Sequence, residues 1–217
     1  MPRIAIIGGH GKVALHLSRI LAASGHTISS LIRNVDHSGD VRDTGARAVL
    51  ADVENLDTVG IAEKLAGHDV VVWAAGAGGG NPGRTYTVDR DAAIRSMDAA
   101  EQADVSRYVM VSYLGAGTDH GLDETDPFFH YAEAKAAADS YLRGTALDWT
   151  ILAPGGLTLD AATGRIDVGP ELAGGTVSRE DVAAVASAVL DLPGTIGKFI
   201  PFINGSTPIV EAMQRFR

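Results

Sequence analysis

Tyr131 and Lys135 stand four residues apart in Phe128-Phe129-His130-Tyr131-Ala132-Glu133-Ala134-Lys135, within a stretch whose apolar spacing predicts a helix over Phe128–Leu142. Side chains four apart share a helix face. A phenol beside an ammonium group can release its proton nearer neutral pH, because the positive charge favours the phenolate. Such a pair could protonate a carbonyl oxygen as hydride reaches the carbon. A surface helix with a half-buried tyrosine would show the same spacing, and Tyr–Lys pairs also arise by chance. Order along the chain favours the chemistry: the pair follows Ser112, at the end of a strand-like run from Arg107, and precedes Pro154-Gly155-Gly156.

Hydride transfer needs a carrier, and the opening of the chain offers a place for one. Arg3-Ile4-Ala5-Ile6-Ile7 reads as a strand, Gly8-Gly9-His10-Gly11 as a tight turn, and Val13, Leu17, Ile20 and Leu21 as one face of a following helix. Gly9-x-Gly11-x-x-Ala14 fits the dinucleotide fingerprint with Ala in its last place. A Cβ in this turn would hold the backbone away from a pyrophosphate, whose charge is met by the unpaired N–H groups at the helix start. An ordinary strand-to-helix turn would look similar; the strand directly before and the amphipathic helix directly after favour nucleotide binding. The residues expected around the phosphates are Gly8, Gly9, His10, Gly11, Lys12 and Val13.

Further strand ends add to the same ligand. His26–Ile32 reads as a second strand leading to Arg33-Asn34, where a dinucleotide fold reads the adenosine ribose. An acid there would accept from a free 2′-hydroxyl; Arg33 instead offers a donor fork to a 2′-phosphate, so NADP (NADPH over NADH) is expected. A solvated strand-end arginine is the bland alternative. Ala46–Ala51 is a third strand, stopping at Asp52-Val53, where the Asp could reach the adenine amino group or equally start the turn into a helix over Leu56–Leu65. Asp69–Ala75 is a fourth, apolar on both faces, and its small end Ala74-Ala75-Gly76 would let a cofactor lie against it. The glycine-rich Gly76–Gly83 that follows reads as cofactor floor or as connector, from Gly78 onward with equal weight.

The remaining elements are a helix over Thr85–Gln102, the fifth strand Arg107–Ser112, a polar loop, the Tyr–Lys helix and a strand Trp149–Ala153. After a looser stretch, Ser178 and Asp181 resemble a capping box opening a helix to Leu192; a strand Lys198–Ile203 and a helix Ile209–Phe216 close the chain. Pro201 suggests that this last strand is an edge. Alternating strands and helices imply an α/β, Rossmann-type, doubly wound and mostly parallel sheet with helices on both faces. At 217 residues one domain is expected over 1–217, with a small substrate-side region from about 155 onward.

Composition excludes several chemistries. There is no cysteine, hence no disulfide, thiolate nucleophile or zinc-thiolate site, and no metal site is expected. Asp and Glu number 27 against 18 Lys and Arg, a net charge of −9, so no nucleic-acid partner is expected without a basic patch. No apolar run approaches a membrane span, and the first strand is too short for a signal-peptide core; a cytoplasmic protein acting on a small molecule is expected, as monomer or homodimer.

Taken together, Gly8-x-x-Gly11-x-x-Ala14, Arg33, Ala74-Ala75-Gly76, Val111-Ser112, Tyr131-x-x-x-Lys135, Pro154-Gly155-Gly156 and Ser178-Arg179-Glu180-Asp181-Val182-Ala183 resemble the short-chain dehydrogenase/reductase superfamily over nearly the whole chain. The likeness is to its atypical branch of small NAD(P)H-binding proteins, which includes flavin and biliverdin-IX-beta reductase-like and epimerase-like members. The resemblance implies Tyr131 as proton donor, Lys135 as its tuner and as a ligand of the nicotinamide ribose, and Ser112 as a polar contact near the reacting carbonyl. It also implies that Pro154, Gly155, Gly156 and Leu157 border the nicotinamide. Two departures stand out. Ser112-Tyr113-Leu114 lacks the consecutive hydroxyls common after the fifth strand, and His10 holds a turn position often given to Thr, Ser or Asn, where it is expected to contact phosphate with Lys12. The implied function is an NADP-dependent reductase of a small carbonyl, quinone or flavin-like acceptor; a non-catalytic NADP(H) sensor is the alternative, and a sugar-nucleotide epimerase or dehydratase ranks third.

Overall fold

Four consecutive apolar residues, Val70–Trp73, form a strand buried along its whole length, and the sheet is built outward from it on both sides. The structure, a computed structural model, describes residues 1–78 and 81–217; of the glycine-rich connector, Gly79 and Gly80 lie outside the described residues. Strands run as β1 (Arg3–Ile7), β2 (Thr27–Ile32), β3 (Arg47–Leu50), β4 (Val70–Trp73), β5 (Arg107–Val111), β6 (Asp148–Pro154), β7 (Gly156–Thr158), β8 (Arg165–Val168), β9 (Thr176–Ser178), β10 (Lys198–Asn204) and β11 (Thr207–Pro208). Their order in the main sheet is β11-β8-β10-β6-β5-β4-β1-β2-β3, while β7 and β9 pair separately. From β3 across to β10 every pairing is parallel; β8 and β11 join antiparallel. This is the Rossmann-type doubly wound sheet.

Helices α1 (Lys12–Ala23), α2 (Ser38–Arg42), α3 (Thr58–Leu65), α4 (Pro82–Thr85), α5 (Ala93–Gln102), α6 (Phe129–Arg143), α7 (Arg179–Leu190) and α8 (Ile209–Met213) cover it. Alternation along each strand sends neighbours to opposite faces. In β1, Ile4 and Ile6 pack with Leu17 and Leu21 of α1 and Val185 and Val189 of α7, whereas Ala5 and Ile7 join Ile61 and Leu65 of α3, Met97 of α5 and Leu142 of α6. Each of the Ile, Leu, Val and Met side chains among them contributes about 1.5–3 kcal/mol on burial. The chain winds from β1 out to β3, then crosses back to β4 on β1's other side, which opens a crevice at the carboxyl ends of β1 and β4.

Besides the short α2, β7, β8, β9 and β11, which the sequence reading leaves as loop, two expected elements differ. The helix expected over Thr85–Gln102 begins at Pro82, where the Asn81 side chain accepts the Arg84 N–H and Pro occupies the first turn; it passes through a π-helical segment, Tyr86–Ala92, before α5. Nor is Pro201 on an edge strand: β10 lies between β6 and β8. Its tolerance is local, since β8 pairs only with Phe202–Asn204. Gly169, one residue past β8, donates to the Pro201 carbonyl at 3.2 Å, so the proline nitrogen faces the side where that ladder has already ended.

Candidate cofactor and active site

Gly8 directly follows β1 with φ +82°, and a Cβ there would stand 2.5 Å from the Ala75 Cα, so the ends of β1 and β4 approach as closely as they do only because the residue is glycine. Gly9 solves a different problem: its Cβ would lie 2.5 Å from the Ser30 Cβ in β2, which makes it a packing residue toward the neighbouring strand. Gly11 closes the turn by donating its N–H to the Gly8 carbonyl at 2.8 Å and stands immediately before α1. No side chain caps α1 and no acid occupies its first turn. Its leading N–H groups and positive end are therefore left for an anion.

Gly8 and Gly11 border a cavity of about 300 Å³ across the ends of β1 to β4, whose walls also include His10, Arg33, Asp52, Val53, Ala74, Ala75 and Gly76; Gly9, expected among the phosphate residues, does not line it. Lys12 and Asn34 do not border it. Lys12 is exposed on α1, and the Asn34 side chain accepts the Asp36 N–H at 3.0 Å. The His10 ring, on the cavity wall, has its Nε2 2.8 Å from Asp40 and its face stacked on His37 at 3.6 Å. Asp52 takes the turn-starting role, accepting the Glu54 N–H at 3.2 Å and the Asn55 amide at 2.7 Å. Arg33 is 57 % exposed and touches Glu54 at 3.4 Å.

Sequence reasoning missed Glu54, Arg84 and Asp89. Arg84 grips Glu54 through Nε at 3.1 Å and Nη2 at 3.0 Å and donates to the Ala77 carbonyl at 2.8 Å. The Ala77 N–H in turn donates to Asp89 at 3.0 Å. Asp89 sits in the π segment, where a widened turn aims a buried carboxylate into the groove. Only the Pro82 start signal hinted at this region; a partner 30 residues away leaves no periodicity.

A second cavity of about 440 Å³ shares Ala74, Ala75 and Gly76 with the first and adds Val13, Asp89, Ser112, Tyr131 and Leu157. A third, also about 440 Å³, shares Ser112, Tyr131 and Leu157 with the second and adds Pro154, Gly155 and Gly156. One groove thus follows the carboxyl edge from β3 to β6. Gly155 permits the last part of it, because a Cβ there would meet the Gly175 carbonyl at 2.5 Å.

The polar chemistry of this groove departs from the spacing argument. Lys135 is 1 % exposed, and its Nζ donates to the Val111 carbonyl at 3.0 Å beside the Met110 sulfur. It borders none of the three cavities. Burial pulls its ammonium pKa down against the opposing influence of Asp139 and Asp89. The Tyr131 phenol is pushed up, first by burial and then by the nearby Asp89 and Asp139 carboxylates, so the expected lowering by Lys135 is not what this environment produces. Its ring packs on Phe128 at 5.0 Å and Tyr113 at 5.5 Å, with the side chain bordering the second and third cavities together. Ser112 donates its hydroxyl hydrogen to Asp139 at 2.5 Å. Burial raises the carboxyl pKa of Asp139, as it does that of Asp89.

A groove floored by Ala74–Gly76 and headed by an uncapped helix suits a dinucleotide, and a family model described as NAD(P)H-binding matches residues 8–193. The chain belongs to this NAD(P)H-binding family. It is 32% identical over 215 residues to a Bacillus subtilis (strain 168) protein described as an uncharacterized sugar epimerase, YhfK, covering 98% of this chain and 99% of that one. A solved structure from Bacillus halodurans, provisionally described as an NAD-dependent epimerase/dehydratase, superposes with a TM-score of 0.92 at 32% identity, covering 99% of this chain and 100% of that chain. ChuY, described as an anaerobillin reductase from Escherichia coli O157:H7, gives a TM-score of 0.79 at 25% identity over 94% of this chain and 98% of that chain. Family membership agrees with the resemblance drawn from the motifs. Gly8, Gly11, Arg33 and Ala74–Gly76 are the sequence-expected cofactor residues that this continuous groove brings together. Among the described residues no helix is long and apolar enough to cross a membrane.

Proposed function

We propose that the protein is an NADPH-dependent reductase of a small carbonyl, quinone or flavin-like acceptor. The carrying observation is the place of Tyr131, whose side chain borders the second and third cavities at their junction, beside Ser112. When bound, NADPH supplies the hydride. Tyr131 supplies the proton: its phenol is protonated near neutral pH, and because burial and two neighbouring carboxylates raise its pKa and weaken it as an acid, the transfer is driven by the charge that develops on the substrate oxygen as hydride arrives. Ser112 accepts a hydrogen bond more readily than it gives one, since its own hydrogen is on Asp139. Leu157 and Phe128 supply apolar walls at the junction. The Arg33 guanidinium, largely exposed and held by a single long contact, supports the preference for NADPH.

NADPH oxidation followed at 340 nm against a panel of such acceptors tests this, with Tyr131→Phe beside the parent. Loss of about a hundredfold or more in turnover is expected; equal turnover in both would remove Tyr131 from the mechanism. A second reading has its own observation, that Lys135 and the Ser112 hydrogen are both turned away from the groove. A non-catalytic NADP(H)-responsive protein would bind the cofactor and turn over none of the acceptors. The epimerase descriptions of two relatives make a sugar nucleotide the third ligand class for the same panel.

A further inference from the structure

Arg33 is not alone at the adenosine end of the groove. Glu54 stands on the same cavity wall, its side chain only 19 % exposed, with a carboxylate oxygen 3.4 Å from Arg33. It is fixed there from the other side, where Arg84 donates to it from Nε at 3.1 and 3.2 Å and from Nη2 at 3.0 Å. Arg84 is anchored in turn by its bond to the Ala77 carbonyl at 2.8 Å. The carboxylate is therefore shared unequally: a near-planar fork from Arg84 holds it, and Arg33 touches it loosely. Asp52, the other acid on this wall, spends both oxygens on the Glu54 N–H and the Asn55 amide. That leaves Glu54 as the acid that meets whatever Arg33 meets.

We propose that Glu54 is a specificity-determining residue that narrows the preference for NADPH over NADH, by competing with the cofactor's 2′-phosphate for Arg33 and by placing a negative charge where that phosphate arrives. The proposal rests on the cofactor reading above. A 2′-phosphate must draw Arg33 off Glu54 and then sit near an anion, whereas a 2′-hydroxyl meets no such repulsion and finds an acceptor within reach. Arg84 acts as the positioning residue. By holding the carboxylate it limits how fully Glu54 can neutralise Arg33.

The two residues therefore predict opposite shifts. Glu54→Gln keeps the size of the side chain and removes its charge, and should tighten NADPH binding about tenfold while changing NADH less than threefold. Arg84→Gln releases the carboxylate toward Arg33, and should weaken NADPH by about threefold to tenfold relative to NADH. Dissociation constants for NADPH and NADH, from nucleotide fluorescence titrations of the parent and both variants in 50 mM and 300 mM salt, give the readout. A merely structural role for the ion pair would move both nucleotides together and leave the ratio of the two constants untouched. Parallel changes for both nucleotides, or a ratio that moves the same way in the two variants, would overturn the proposal while leaving the cofactor reading intact. If the parent binds neither nucleotide, both fail.

Discussion

Gly8 and Gly11 lie three residues apart in one turn, yet a methyl group added at each should do different damage. At Gly8 an alanine must adopt φ +82°, and its Cβ would stand 2.5 Å from the Ala75 Cα and 2.6 Å from its N. The left-handed conformation costs an L-residue about 1–2 kcal/mol. The overlap adds about 1–3 kcal/mol, because the obstacle is backbone and cannot swing aside. A loss of about 3 kcal/mol would lower Tm by roughly 6–12 °C in a chain of this size. Relief requires moving Ala75, which also floors the groove, so cofactor affinity should fall as well. At Gly11, φ is −59° and ψ 147°, a conformation open to alanine, and the nearest obstacle is the Gly8 oxygen at 3.1 Å. Stability should change little, with Tm within about 2 °C, while a methyl on the cavity wall in front of the α1 amides should weaken NADPH by about tenfold or more. Gly39→Ala, in α2 with open space around its Cβ, serves as the control and should leave both properties unchanged or raise Tm slightly. Thermal melts followed by circular dichroism and NADPH fluorescence titrations separate the cases. The reasoning fails if Gly11→Ala lowers Tm as much as Gly8→Ala does, or binds NADPH as the parent does.

Asp89 carries a carboxyl pKa raised by burial above its ordinary value of 3.8. The folded state therefore keeps its proton to higher pH than the unfolded one, and the stability tied to the neutral form is fully present below 3.8 and lost as pH rises through the folded value. The parent should gain on Asp89→Asn between pH 7 and pH 4 in urea unfolding midpoints; a gap that is constant, or that widens as pH rises, contradicts burial as the cause. Lys135→Met leaves the Val111 carbonyl unpaired and Asp89 and Asp139 without their shared counter-charge, and should cost about 3 kcal/mol. Because Nζ points to Val111, NADPH affinity should change less than threefold in the same titration. A loss above tenfold with the fold intact would place the ammonium on the cofactor.

The order of the longer strands and helices was readable from the chain because backbone periodicity is a local property; α2, β7, β8, β9 and β11, of two to five residues each, are too short to show one. A run such as Val70–Trp73 must be buried on both faces, and Val13, Leu17 and Leu21 must share one side of α1, whatever lies elsewhere. The glycine turn was legible for the same reason, although its division of labour was not. That Gly8 admits Ala75, Gly9 admits Ser30 and Gly11 faces the groove depends on strands that the sequence does not show side by side. Polar side chains were the least legible. Lys135 and Tyr131 do share a helix, as four-residue spacing requires, yet the ammonium goes to Val111, which arrives from β5. Ser112 gives its hydrogen to Asp139, 27 positions away, and Glu54 is held by Arg84, 30 positions away. A buried charge or hydroxyl turns toward whichever partner lowers its desolvation cost, and only the packing of β4, β5, α6 and the π segment against one another decides which partner that is.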